Sequence, residues 1–101
     1  MDALSQELEN YLISLGKNPS IVSERMAHYT EHLIHLLNIK DELLIDNYYG
    51  LAGHPLKSAE ELAEINKTTP DVIRQVVEVL LRRLSVTPEW QMMKQLIPHN
   101  K

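Results

Sequence analysis

Apolar residues recur along the chain at the three- and four-residue spacing that places them on one face of a helix. A first helix is predicted over residues 3–15, ended by Gly16, and a second over residues 20–38. The second carries an apolar stripe that steps by four, three, four and three residues: Val22, Met26, Tyr29, Leu33 and Leu36. A third, short helix is predicted over residues 40–49, before Gly50, Gly53 and Pro55 break the pattern.

Local start signals predict three more helices in the second half of the chain. Ser58 followed by Glu61 is the capping-box pattern, which satisfies free amides at a helix start. Thr69 before Pro70 predicts a fifth helix over residues 70–84, because threonine caps helices and proline suits the first helical position. Thr87 before Pro88 predicts a sixth over residues 88–97, ended by Pro98. With no strand pattern, the predicted fold is all-α.

The composition fits one small helical domain spanning residues 1–101. The chain is 44% hydrophobic and 24% charged, with 5% aromatic residues, no Phe and three Gly, a balance that disfavours an all-β fold. The absence of cysteine excludes disulfides, cysteine-ligated zinc sites and thiol nucleophiles. An acidic, polar start and the lack of a long apolar run predict a soluble cytoplasmic protein without a membrane segment.

Charge is distributed unevenly between the two halves of the chain, whose net charge is −4. Residues 1–56 carry three basic and eight acidic side chains, a net of −5, whereas residues 57–101 carry seven and six, a net of +1. Only the second half is therefore suited to face a polyanion. The chain divides into an N-terminal helical hairpin over residues 1–40, a middle segment over residues 41–85 and a C-terminal helix over residues 86–101.

Residues 58–84 have the pattern of a helix-turn-helix, in which two short helices are joined by a tight turn. Ala63 is a small residue at the point where the two helices would approach closely. The shared core of the pair is predicted to consist of four apolar residues: Leu62, Ile73, Val76 and Leu80.

Four stretches carry a resemblance to the fourth conserved region of bacterial sigma factors. They are DNYYGL at residues 46–51, KSAEELA at residues 57–63, IRQ at residues 73–75 and LLRRL at residues 80–84. That region has an aromatic-Gly-Leu loop, a helix that begins Thr/Ser-x-x-Glu, and a recognition helix with an Arg-Gln pair. A related resemblance is to the helix-turn-helix of response regulators. In the family, the turn usually has glycine where Lys67 stands.

The resemblance implies a DNA-binding transcription regulator that inserts helix 70–84 into the major groove of promoter DNA. Sigma region four also docks on RNA polymerase, so polymerase or another transcription protein is an expected partner. The residues expected at the DNA, on bases or phosphates, are Lys57, Ser58, Lys67, Thr69, Arg74, Gln75, Arg82 and Arg83.

Helix geometry keeps a different class of function open. Arg74–Glu78 and Glu78–Arg82 are spaced as i,i+4 ion pairs, which would leave the polar face of helix 70–84 neutral. Its apolar face covers more than half of the circumference, so a second copy of the chain or a partner protein would complete its burial, and a homodimer is expected. The alternative is an interaction protein that binds polymerase, a sigma factor or another regulator without reading DNA.

His28, His32 and His35 lie at positions i, i+4 and i+7, on one face of the second predicted helix. Two histidines at i,i+4 can chelate a divalent metal, but the acidic residue of a His-Glu-x-x-His motif is misplaced, so half-exposed interface residues are the favoured interpretation. The sequence has no phosphate-binding glycine loop or nucleophile turn. We therefore expect neither an enzyme nor a cofactor.

Overall fold

A computed structural model describes residues 1–97, in which the chain forms six α-helices and no β-strand. The helices are α1 (Ala3–Lys17), α2 (Glu24–Ile34), α3 (Ile39–Tyr49), α4 (Ala59–Ile65), α5 (Pro70–Ser85) and α6 (Pro88–Met93). A single-turn 3₁₀ helix, Pro19–Ile21, precedes α2. The all-α prediction is confirmed. None of the helices within residues 1–97 has the length and apolarity needed to cross a membrane.

The predicted caps of the last three helices are confirmed. The Ser58 hydroxyl accepts a hydrogen bond from the Glu61 amide at 3.1 Å, and the Glu61 carboxylate accepts one from the Ser58 amide, also at 3.1 Å. Thr69 and Thr87 cap α5 and α6 by accepting a hydrogen bond from the backbone amide three residues later, without the reciprocal bond, and proline stands at the first helical position. Each helix start is thus fixed by side chains within four residues of it, which is why the local sequence predicts it.

Replacing Ser58 with alanine should lower the free energy of unfolding by about 1 kcal/mol, because the Glu61 amide loses its acceptor. Ser58→Asp keeps an acceptor at the cap and should stay near the stability of the unmodified protein. Urea denaturation followed by circular dichroism measures both. Equal losses in the two variants would mean that the acceptor at the cap is not the source of the stability.

The second helix is shorter than predicted at both ends. Instead of running over residues 20–38, α2 begins after Ser23, whose side chain accepts a hydrogen bond from the Met26 amide. It ends at Ile34, and Asn38 already caps α3. Local capping side chains therefore override the continuous apolar stripe. As a result Leu36, which extended the stripe, lies half exposed outside α2.

The ends of the first and last helices also differ from the prediction. Gly16 does not end α1, which continues to Lys17. The last helix, predicted over residues 88–97, stops at Met93 and continues as turns. Pro98, the predicted end of that helix, lies outside the described residues.

The core is assembled around α5, which packs along α1 on one side and against α4 on the other. Leu80, Leu81 and Leu84 of α5 are almost completely buried. At the far end of the domain α6 packs on α2 and buries Trp90, whose ring lies 5.6 Å from that of Tyr11 between centroids. This packing holds α5 on its inner side and leaves its outer side open.

Candidate nucleic-acid interface

The helix pair α4–α5 is held by the small apolar core that the sequence predicts. Leu62, Ile73 and Leu80 are buried, and Val76 is partly buried against them. Ala63 is also buried, and its carbonyl accepts a hydrogen bond from the Thr68 amide at 2.9 Å. This backbone hydrogen bond folds the turn back onto the end of α4.

Lys67 takes a left-handed backbone conformation in the turn between α4 and α5, with φ of 56°. This is the conformation that glycine adopts most readily, and it is strained for a residue with a side chain. The turn therefore keeps a glycine-type geometry without glycine. The exposed lysine side chain then lies at the surface, between the two helices.

Arg74 connects the two helices of the pair through ion pairs. Its guanidinium lies 3.1 Å from a carboxylate oxygen of Glu60, in the first turn of α4, and 3.1 Å from one of Asp71. The predicted pairing of Arg74 with Glu78 is wrong, because the guanidinium turns toward the start of α5 and toward α4. Arg74, Lys57 and Ser58 consequently line one shallow cleft at the start of α4.

Arg82 is also paired with acidic residues. It lies 3.3 Å from Glu78, which confirms that predicted i,i+4 pair, and 3.5 Å from Asp2 at the start of α1. The Ser5 backbone amide donates a hydrogen bond to the Asp2 carboxylate at 2.8 Å, and this bond, together with Arg82, lowers the pKa of the Asp2 carboxyl. The amino terminus of Met1 lies 3.7 Å from Glu78. The N-terminal residues therefore help to neutralise the middle of α5.

The other residues predicted to contact DNA form no ion pair with any residue in the range 1–97. Lys57 and Lys67 lie at the start of α4 and in the turn, and Gln75 and Arg83 lie on the open side of α5. Gln75 and Arg83 border a shallow groove whose apolar residues are Val72, Val76, Val79 and Leu80. Thr69 lies at the start of α5, where its hydroxyl is used as the cap.

The structure brings two of the three predicted histidines together. The Nε2 atoms of His28 and His32 lie 3.3 Å apart on the exposed side of α2, whereas His35 pairs with Glu42 instead. Among residues 1–97, no three histidine, aspartate or glutamate side chains come close enough together to hold a metal ion. His28 and His32 thus form an exposed pair without a third protein ligand.

Sequence reasoning missed the partners that neutralise the predicted DNA-binding face. Glu60 is 14 residues from Arg74 and Asp2 is 80 residues from Arg82, so neither pair follows from helical spacing. Only the capping box of α4, which fixes the direction of its first turn, could have indicated Glu60. Comparison of the chain with protein-family models, characterised proteins and solved structures finds no match.

Proposed function

We propose that this protein is a DNA-binding transcription regulator that presents α5 to the major groove of double-stranded DNA. The observation that carries the proposal is the position of Arg74, whose guanidinium reaches the first turn of α4. The start of α4 and Arg74 of α5 therefore share one polar cleft, with Lys57 and Ser58 at its edge. A surface of this kind can contact phosphates from one helix and base edges from the other.

On DNA, Arg74 would exchange its carboxylate partners for a phosphate or for the O6 and N7 atoms of guanine. Gln75 is next to it, and its side-chain amide, which forms no hydrogen bond with residues 1–97, has the donor and acceptor that match adenine. Lys57, Lys67 and Arg83 would contact phosphates. In this mechanism the carboxylates of Glu60 and Asp71 compete with DNA for Arg74, so the free protein binds DNA weakly until they are displaced.

Binding of a fluorescein-labelled random-sequence duplex should weaken about 100-fold between 50 and 200 mM salt, as expected for about four cationic contacts. Fluorescence anisotropy measures this. Arg25→Ala is a matched control, because it removes one positive charge from α2, outside the proposed surface, and should leave binding unchanged. Absence of binding at 50 mM salt, or binding that does not respond to salt, would contradict the proposal.

Gln75→Ala should remove the preference for one base pair of the target site, by about 5-fold, because a glutamine–adenine pair contributes about 1 kcal/mol or more of discrimination. The test compares the sequences that the unmodified protein and the variant enrich from a randomised duplex pool. Affinity for bulk random DNA should remain unchanged in the variant. Identical enriched sequences would rule out Gln75 as a base-reading residue.

The apolar groove on α5 favours a second candidate function, that of an interaction protein. Val72 is 41% and Val79 is 49% exposed, although both lie on the longest helix of the domain. We infer a second copy of the chain as the occupant, because the groove contains one acidic and one basic residue, Asp41 and Arg83. Two copies packed antiparallel can pair each Arg83 with the acidic residue of the other.

Size-exclusion chromatography with light scattering tests this pairing. The expected result is a dimer that Val79→Glu converts to a monomer, while Val86→Glu, at an exposed position outside the groove, leaves the dimer intact. A monomeric unmodified protein at high micromolar concentration would overturn the pairing. DNA binding that survives in a monomeric Val79→Glu variant would separate the two candidate functions.

A further inference from the structure

We propose that the cavity between α1, α2, α3 and the loop at residues 51–54 binds a small organic cation, an ammonium or guanidinium group on a short apolar chain. This site lies away from the α4–α5 surface and does not depend on the proposed DNA binding. The cavity has a volume of about 500 Å³, within the usual range for sites that hold small molecules.

One part of the cavity wall is apolar. It contains Leu15 from the end of α1, Ile34 from the end of α2 and Leu51 from the loop. Ile34 and Leu51 are also part of the buried core, so this wall is fixed by the packing of the domain. A short hydrocarbon chain would lie against it and displace water from apolar surface.

The other part of the wall is acidic. Glu31, Glu42 and Asp46 line it together with His35 and His54, and no lysine or arginine is among the lining residues. Even with both histidines protonated, the wall would retain a net negative charge. Its electrostatic potential therefore favours a cation over a neutral or anionic ligand.

Asp46 is the residue that indicates a missing partner. It is only 7% exposed, yet no residue in the range 1–97 donates a hydrogen bond to its carboxylate. The Nε2 atom of His54 lies 3.7 Å from the carboxylate, too far for a hydrogen bond. The carboxylate oxygens are not fully enclosed by protein and are open to the cavity, where an N–H group of a bound cation would supply the missing donors.

The pKa of Asp46 is consistent with this geometry. Burial raises it above its ordinary value, with a further contribution from the negative charge of Glu42 and Glu31, while His54 and His35 act in the opposite direction. The folded protein therefore holds a proton on Asp46 at a pH where the unfolded chain has lost it. Ionised Asp46 consequently destabilises the empty protein at neutral pH, and this cost disappears as the pH falls below the unfolded value of 3.8.

The spread of the acidic groups favours an organic cation rather than a metal ion. No three potential ligands within residues 1–97 converge on one point, as a metal site would require. An ammonium or guanidinium group carries several donors that point in different directions, so it can reach separate carboxylates. Guanidinium, with five donors in a plane, suits such a wall best.

The test is a titration followed by two-dimensional NMR of the ¹⁵N-labelled full chain, with n-pentylamine, agmatine and the neutral analogue 1-pentanol as probes. The two amines should bind with Kd near or below about 1 mM, and 1-pentanol at least 10-fold more weakly. Shifts should centre on Ile34, Asp46 and Leu51. Equal binding of 1-pentanol, or shifts spread over α4 and α5, would overturn the proposal.

A further arm distinguishes a free small molecule from a side chain of a partner protein. The blocked peptide acetyl-Gly-Arg-Gly-amide carries the same guanidinium on a polypeptide backbone. Tighter binding of this peptide than of agmatine identifies a partner's arginine as the occupant, and the reverse order identifies a free cation. If the peptide, agmatine and n-pentylamine all fail to bind, the proposal is wrong.

Asp46→Asn should weaken the binding of agmatine at least 10-fold. It should also raise the melting temperature of the empty protein by about 3–5 °C, because a buried unpaired charge is removed. The rise should shrink as the pH is lowered from 7 toward 4. Glu64→Gln, on the exposed side of α4, is the control and should change neither quantity. A stable Asp46→Asn variant that still binds agmatine like the unmodified protein would contradict the assignment.

Discussion

Replacing Gly16 with alanine should destabilise the protein by about 3 kcal/mol and lower its melting temperature by more than about 10 °C. A Cβ atom at position 16 would clash with the carbonyl oxygen of Tyr49. Such a contact cannot be relieved by a side-chain rotation, because the opposing atom belongs to the backbone at the end of α3. The helices α1 and α3 would have to separate.

The sign of this effect distinguishes close packing from helix propensity. At an exposed helical position, glycine to alanine stabilises a protein by up to about 1 kcal/mol. Ser14→Ala, on the exposed side of the same helix, is the matched control and should leave stability unchanged or raise it slightly. Urea denaturation followed by circular dichroism measures both variants. A Gly16→Ala variant as stable as the unmodified protein would mean that α1 and α3 are not in contact at this point.

The contact between Gly16 and Tyr49 also explains why the prediction that Gly16 ends α1 is wrong. A glycine at the end of an apolar pattern normally marks a helix end, and nothing local distinguishes it from a glycine at a helix crossing. The crossing depends on Tyr49, 33 residues later, whose hydroxyl also donates to Glu9 at 2.7 Å. Burial and the adjacent Glu9 carboxylate raise the pKa of Tyr49, so this donor stays protonated at any ordinary pH.

The helix starts could be predicted because their determinants are local. Ser58, Thr69 and Thr87 each bond to an amide three residues away, so a short stretch of sequence contains the whole interaction. The predicted start of α2 was wrong for a related reason. Ser23 caps α2, whereas residues 19–21 form a separate 3₁₀ turn in which the Ser20 hydroxyl donates to Asn18.

The candidate sites were less predictable, because charge pairing depends on tertiary packing. Spacing along α5 predicted Glu78–Arg82 correctly but assigned Arg74 to the wrong acidic residue. Asp46 could not be recognised as a cavity residue, since its carboxylate is surrounded by groups from α2, α3 and the loop that carries His54. In sequence it is one of several acidic residues in an acidic half.

Replacing Glu60 with glutamine together with Asp71 with asparagine should tighten binding to random-sequence DNA by about 30-fold at 50 mM salt. Two exposed ion pairs are worth about 0.4–2 kcal/mol together, which DNA no longer has to overcome to engage Arg74. Removing two negative charges beside the phosphates adds to this, because like charges facing each other weaken association. The dependence of log affinity on log salt should also steepen.

The same change of net charge elsewhere provides the control. Glu24→Gln with Glu89→Gln removes two exposed carboxylates from the first turns of α2 and α6, outside the α4–α5 pair. If the gain arises from releasing Arg74, this control double variant should tighten DNA binding only by the small, long-range effect of net charge. Arg74→Ala should then abolish the gain in affinity when it is added to the Glu60→Gln, Asp71→Asn variant. Equal gains in the two double variants would show that DNA responds to net charge alone, and that Arg74 does not read or anchor it.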